Sequence, residues 1–256
     1  MFDREEKPAG DGNKKKRRLT EIGIAVLILL ALIIVKIAAG KSGNPGMTNT
    51  GNTFFDTYQI EIPEFDGRNY VITVHNGETF FNRDEITDEF YIHLSELDKF
   101  GRAGFAMMCA DEPHIQNGER SSISEIKPTG WHSGGFYERS HLLMWKLTGN
   151  NDAENLVTGT ATFNEKNMQE YEKMVTGYLW DHPQNHVMYR VTPLFRDADL
   201  VCSGVLMEAY SVEDDGALEF CVFVYNAEPG ASIDYSTGDY MENAENMTTE
   251  RPEQTP

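Results

Sequence analysis

Apolar and polar positions divide the chain into a continuous N-terminal apolar run, a polar connector and a long patterned region. Ile22 to Val35 is apolar apart from Gly23, is broken by Lys36 and resumes through Ile37-Ala38-Ala39. The run is short for a full span, but a lysine at its end can snorkel and extend it, so residues 22–39 are read as a transmembrane anchor or signal segment. Residues 40–54, mostly Gly, Ser, Asn and Thr, are expected to form a flexible linker. Alternation in Tyr70 to Val74 followed by Asn76-Gly77 predicts an early hairpin. Ser95 to Gly101 has the form of a short helix ending at glycine, and Phe105 to Cys109 that of a buried strand. Tyr137 to Met144 predicts a strand and Gly149 to Asp152 a loop. From Asn164 onward, Met168, Tyr171, Val175, Tyr178 and Leu179 recur at helical spacing, predicting a helix over 164–179. Strands are expected at Val187 to Phe195, Leu200 to Ala209 and Leu218 to Tyr225, the last two joined through Glu213-Asp214-Asp215-Gly216. The fold class is therefore α+β, with a central antiparallel sheet carrying a strand and helix on it and a transmembrane segment before it. The folded domain is bounded at 55–235, and residues 236–256, polar and acidic, are expected to be a disordered tail.

Charge changes the picture at both ends. Lys14 to Arg18 form an unbroken basic block before the apolar run, which orients residues 1–21 in the cytoplasm and everything beyond the span outside. Ile37-Ala38-Ala39 lacks a small residue at its first position, so the segment is read as an uncleaved anchor; cleavage near Ala39 would make the domain secreted. The whole chain has a formal charge of −19, and because the first 40 residues hold 8 basic and 5 acidic side chains, the remainder sets 14 basic against 36 acidic groups. So acidic a domain binds a polyanion only where a local patch and a metal concentrate positive charge. Arg120, Lys127, Arg139, Lys146 and Arg190 are the candidates for that patch. Cys109, Cys202 and Cys221 allow at most one disulfide. In a hairpin of the last two strands Cys202 does not face Cys221, so core packing is the expected role of all three.

The chemistry concentrates between Phe136 and Glu172. A strand there delivers His141, and a following helix carries Asn164, Met168 and Glu172 four residues apart along one side. An amide oxygen and a carboxylate facing a histidine can hold a hydrated hard cation when phosphate completes the shell, leaving the imidazole free as a base. Asn164 at the start of a helical run also suits an N-cap.

These residues, as Glu138-Arg139-Ser140-His141, Asn155, Asn164 and Glu172, resemble the DNA/RNA non-specific endonuclease family, the ββα-metal nucleases, and within it the bacterial DNA-entry nucleases. Lys127 to Trp131, Asn155 to Thr160, Tyr189 to Pro193, Ser203-Gly204-Val205, Glu208-Ala209 and Ile233-Asp234-Tyr235 extend the likeness over roughly residues 60 to 235. The family signature is Asp-Arg-Gly-His, so Glu138 and Ser140 depart from it while keeping charge and small size. The resemblance implies magnesium-dependent hydrolysis of phosphodiesters, with manganese as the alternative ion, acting on DNA or RNA and leaving 5′-phosphates. It implies His141 as general base, Asn164 as the metal ligand, Glu172 holding a metal-bound water, Asn155 orienting His141 or the metal shell, and Arg139 touching phosphate or bracing the site. Arg120 and Lys127 are the expected substrate contacts. The alternative is a catalytically inactive surface module that captures nucleic acid or a wall polymer; no protein partner is inferable.

Overall fold

The computed structural model describes residues 51–242, with side chains from Phe54 onward. The basic N-terminus, the expected membrane segment, most of the expected linker and the residues beyond Glu242 lie outside the described residues. Among those described, no helix is long and apolar enough to cross a membrane.

Six strands make one antiparallel sheet: β1 (Val71–Thr73), β2 (Tyr91–Leu94), β3 (Ala106–Ala110), β6 (Val187–Leu194), β7 (Gly204–Ser211) and β8 (Glu219–Tyr225), in the order β1-β8-β7-β6-β3-β2. The three central strands read as nearly unbroken apolar runs because both faces of the sheet are covered. On one face Tyr189, Met207 and Val224 pack with Phe163, Met168, Val175 and Leu179. On the other, Leu206, Phe223 and Tyr225 pack with Phe55 and the half-buried Phe54, Ile60 and Phe65. Burying each such side chain contributes about 1.5–3 kcal/mol.

Against the first face lies the unit that the site is built on. β4 (Tyr137–His141) pairs antiparallel with β5 (Leu156–Thr160), placing His141 opposite Leu156 and Glu138 opposite Gly159. Between them stand a single helical turn, α2 (Trp145–Thr148), and a 3-10 turn at Ala153–Asn155. After β5 the chain enters a π-helical stretch, Thr162–Met168, that runs into α3 (Gln169–Asp181). The start of this helix is tied by Glu228, whose carboxylate accepts from the backbone N–H and hydroxyl of Thr162 at 2.9 and 2.8 Å.

Several expectations are corrected. Ser95 to Gly101 is not a helix: Asp98 accepts the N–H groups of Phe100 and Arg102 and pairs with the Arg102 guanidinium at 2.7 Å, folding the segment as a turn. Asn76 and Gly77 do turn the chain with positive φ, but β1 pairs with β8 rather than with the strand that follows. The linker ends early, since Gly51–Tyr58 forms helix α1 and buries Phe55 to 4% exposure. The tail begins late: β9 (Ala231–Ile233) pairs with β10 (Tyr240–Glu242), and Tyr240 stacks on Phe136 with ring centroids 3.8 Å apart. Aromatic packing therefore orders residues whose neighbours are mostly polar. The hairpin at 213–216 forms with Asp215 and Gly216 at positive φ. All three cysteines are buried free thiols, and Cys221 faces Glu208 across the ladder.

Candidate active site

A cleft of about 550 Å³ opens between β4, the helix that begins at Thr162 and the loop that carries Arg120. His141, at the end of β4, forms one wall and is only 6% exposed. Its Nδ1 lies 2.9 Å from Nη2 of Arg120 and its Nε2 2.9 Å from Oδ1 of Asn151. A guanidinium can only donate, so Nδ1 accepts and Nε2 carries the proton, donated to Asn151. The Asn151 amide is held in turn, since its Nδ2 donates to Ser121 Oγ at 2.7 Å. Burial pulls the His141 pKa down to about 4; the Asn151 hydrogen bond opposes this and the Arg120 charge adds to it. The imidazole is neutral at physiological pH.

The floor belongs to the helix. In the π turn the N–H of Gln169 bonds to the carbonyl of Asn164, a five-residue step. Asn164, Glu165, Gln169 and Glu172 consequently line the cleft together, whereas Met168 is fully buried in the core. The expectation that Asn164, Met168 and Glu172 share one side is corrected at its middle member, because the π turn changes the phase. Asn164 donates through Nδ2 to Oε2 of Glu138 at 2.6 Å. Glu138 is raised above the usual carboxylate range by burial; the Asn164 bond pulls it back down and the neighbouring Glu165 pushes it further up. Burial raises Glu172 to about 7, with Arg120 and Lys173 pulling the other way. Among the described residues no hydrogen bond is made by the Glu172 carboxylate.

The other sequence-singled residues divide. Arg139 donates to the carbonyls of Ile126 and Ser124 and lies 4.0 Å over the Trp131 ring, so it braces the loop below Arg120. Asn155 does not touch the imidazole: fully buried, it accepts from the N–H of Leu143 and donates to the carbonyl of Leu143, each at 2.9 Å. It clamps the chain just beyond His141, and the orienting contact belongs to Asn151. Lys127 is exposed and lies away from the cleft lining, where Lys146 stands with its Nζ 4.4 Å over the ring of Trp180. Arg190 is also removed from the phosphate patch: it is 3% exposed, bonded to Glu208 at 2.8 Å and stacked between Phe54 and Phe81. Asn151 carried only a weak signal, an asparagine in a polar loop ten residues after His141.

Ser140 fits where the signature has glycine because its partner strand has Gly159. A Cβ at 159 would stand 2.2 Å from Ser140 Oγ and 2.5 Å from the Phe163 ring.

The profile of the DNA/RNA non-specific endonuclease family matches residues 83–213. A curated deoxyribonuclease of Streptococcus dysgalactiae subsp. equisimilis is 29% identical over 134 residues, covering 48% of this chain and 40% of the relative. The chain thus spans less than half of that relative's length. The structure of NucA from Streptococcus agalactiae with magnesium bound is similar with a TM-score of 0.63 at 26% identity, covering 75% of this chain and 94% of that one. The metal-free form of that NucA gives 0.62 at the same identity. Sda1 nuclease with a bound zinc ion shares the fold, with a TM-score of 0.59 at 24% identity over 68% of this chain and 97% of its own.

Proposed function

Since the chain belongs to the DNA/RNA non-specific endonuclease family, we propose that it is a magnesium-dependent endonuclease that hydrolyses phosphodiester bonds of DNA, and of RNA, with little sequence preference. The observation that carries this reading is the buried neutral His141, its tautomer fixed by Asn151, across a cleft from two amides and three carboxylates. Both imidazole nitrogens are engaged, so the remaining donors are oxygens of Asn164, Gln169, Glu138, Glu165 and Glu172. That set fits a hard divalent ion, magnesium or manganese, better than zinc, which favours nitrogen and sulfur. Asn164 would hold the ion through Oδ1, with Glu138 and Glu172 fixing its waters. When bound, the ion supplies neutralisation of charge on the phosphoryl oxygens and the departing 3′ oxygen.

His141 takes the proton of the attacking water at Nδ1. Asn151 Oδ1 accepts the Nε2–H before and after that transfer, so the ring keeps its orientation through the step. Arg120 and Lys146 bind the phosphates, and Arg139 holds the loop that presents Arg120. Contacts to phosphate alone account for weak sequence preference. With the rest of the surface acidic, standing affinity is low and turnover depends strongly on the ion. The anchor reading of residues 22–39 puts the catalytic unit outside the cell, where DNA uptake or scavenging is the fitting role.

Supercoiled plasmid incubated with the full chain tests this. Nicking and degradation with magnesium or manganese, absent with chelator and leaving ends that ligase can rejoin, is the expected result. Intact plasmid with a folded protein would leave the inactive capture module.

A further inference from the structure

The lone pair that must receive the proton of water is already occupied. Arg120 Nη2 donates to His141 Nδ1 at 2.9 Å, and Asn151 fixes the opposite nitrogen as the protonated one. No second hydrogen bond of the Arg120 side chain exists among the described residues. The residue is exposed, sits in a loop without regular structure, and is drawn electrostatically toward the Glu172 carboxylate in the same cleft.

We infer that Arg120 is a substrate-operated latch on the general base: it caps Nδ1 of His141 in the resting protein and leaves it for the phosphodiester when nucleic acid enters. This rests on the hydrolytic reading of the cleft. A guanidinium bonds more strongly to a phosphate oxygen than to a neutral imidazole, because the acceptor is charged and two parallel N–H groups engage it. The exchange conserves hydrogen bonds, since the N–H that left Nδ1 is donated to phosphate while Nδ1 gains the water proton's donor. Once His141 has taken that proton it carries N–H on both nitrogens, and like charge keeps Arg120 from returning until the proton is passed to bulk water. Water entering the cleft without nucleic acid would thus be denied a base, and the base is exposed only beside a phosphate. Asn151 is indifferent to the exchange because its carbonyl accepts in either state.

The test is the 15N resonance of His141 Nδ1 in the full chain, held in detergent and labelled in histidine, assigned through His141→Gln. Dimethyl phosphate is the probe. In wild type without probe, Nδ1 is expected at the position of a hydrogen-bonded acceptor, moving to that of an uncapped lone pair on saturation with dimethyl phosphate. Arg120→Ala is expected at the uncapped position throughout, while the Nε2–H resonance to Asn151 is unchanged in both. Phosphodiester hydrolysis by Arg120→Ala should fall roughly 10²-fold or more, as when one transition-state donor is removed. A wild-type Nδ1 resonance that is uncapped from the start, or one that stays capped at saturating dimethyl phosphate, overturns the latch. A capped, probe-responsive Nδ1 in a protein that cleaves no plasmid would instead sink the hydrolytic reading, and with it the latch as control of a base, leaving only a phosphate-responsive contact between Arg120 and His141.

Discussion

Two groups in the cleft titrate in opposite senses, and replacing one should expose the other. Burial lowers His141 from 6.5 to about 4 and raises Glu172 from 4.5 to about 7. For His141 the unfolded chain takes up the proton first, so its contribution to stability is complete above 6.5 and is lost as pH falls toward 4. For Glu172 the folded chain takes up the proton first, so stability is gained as pH falls through 7 and complete below 4.5. Between pH 7 and pH 5 linkage gives a loss of about 2 kcal/mol from the first and a gain of about 2 kcal/mol from the second. The pair therefore cancels in wild type. Glu172→Gln should lose about 2 kcal/mol relative to wild type over that interval, and His141→Gln should gain about as much. Urea denaturation of all three chains at both pH values, with chelator present, measures this, and other carboxylates drop out of the differences. A Glu172→Gln variant with the same pH dependence as wild type would refute the argument that burial dominates this cleft.

Further outcomes follow from packing and charge. Asn155→Ala strands the N–H and carbonyl of Leu143, itself fully buried, and should cost about 2–5 kcal/mol in chemical denaturation. Ser140 Oγ is buried without a partner, so Ser140→Ala should raise stability by about 1 kcal/mol, while Gly159→Ala, which drives a methyl into Ser140 and Phe163, should lower it by about 1–3 kcal/mol. With Arg120 and Lys146 as the phosphate contacts, log kcat/KM on duplex DNA should fall against log salt with a slope of about −2, and Lys146→Ala should flatten it by about 1. A slope several times steeper would mean that the basic surface has been misplaced.

Strands β3, β6, β7 and β8 were legible because buried strands write themselves as apolar runs, and the 213–216 turn because Asp215-Gly216 supplies positive φ, whereas the short, half-buried edge strand β2 left no such run. The helix after β5 was legible as helix, but its opening π turn was not: Asn164, Met168 and Glu172 fit ordinary helical spacing in the sequence. The five-residue bond from Asn164 to Gln169 accompanies Gln169 at the cleft beside Asn164, while Met168, first of the apolar stripe, is buried in the core. Ser95 to Gly101 has helical composition, yet Asp98 bonds locally to the backbone and to Arg102, a competition that residue type alone does not decide. Asn151 takes the part expected of Asn155 for a similar reason. Both are polar loop residues near His141, and which one meets the imidazole depends on how the 149–155 loop closes over it. Arg190 looked like a phosphate ligand because its charge is visible in sequence and its partner Glu208, on the next strand, becomes its neighbour only through the β6–β7 register.

The central claim is that His141 removes the proton of the attacking water at a metal-assisted phosphodiester. Replacing His141 with glycine and supplying imidazole in solution addresses it most directly. On plasmid DNA with magnesium, His141→Gly should lose roughly 10²–10⁴-fold in rate and recover in proportion to added neutral imidazole, with chelator abolishing the recovered activity. Undiminished cleavage by His141→Gly, or a folded variant that imidazole at no concentration revives, would contradict the account.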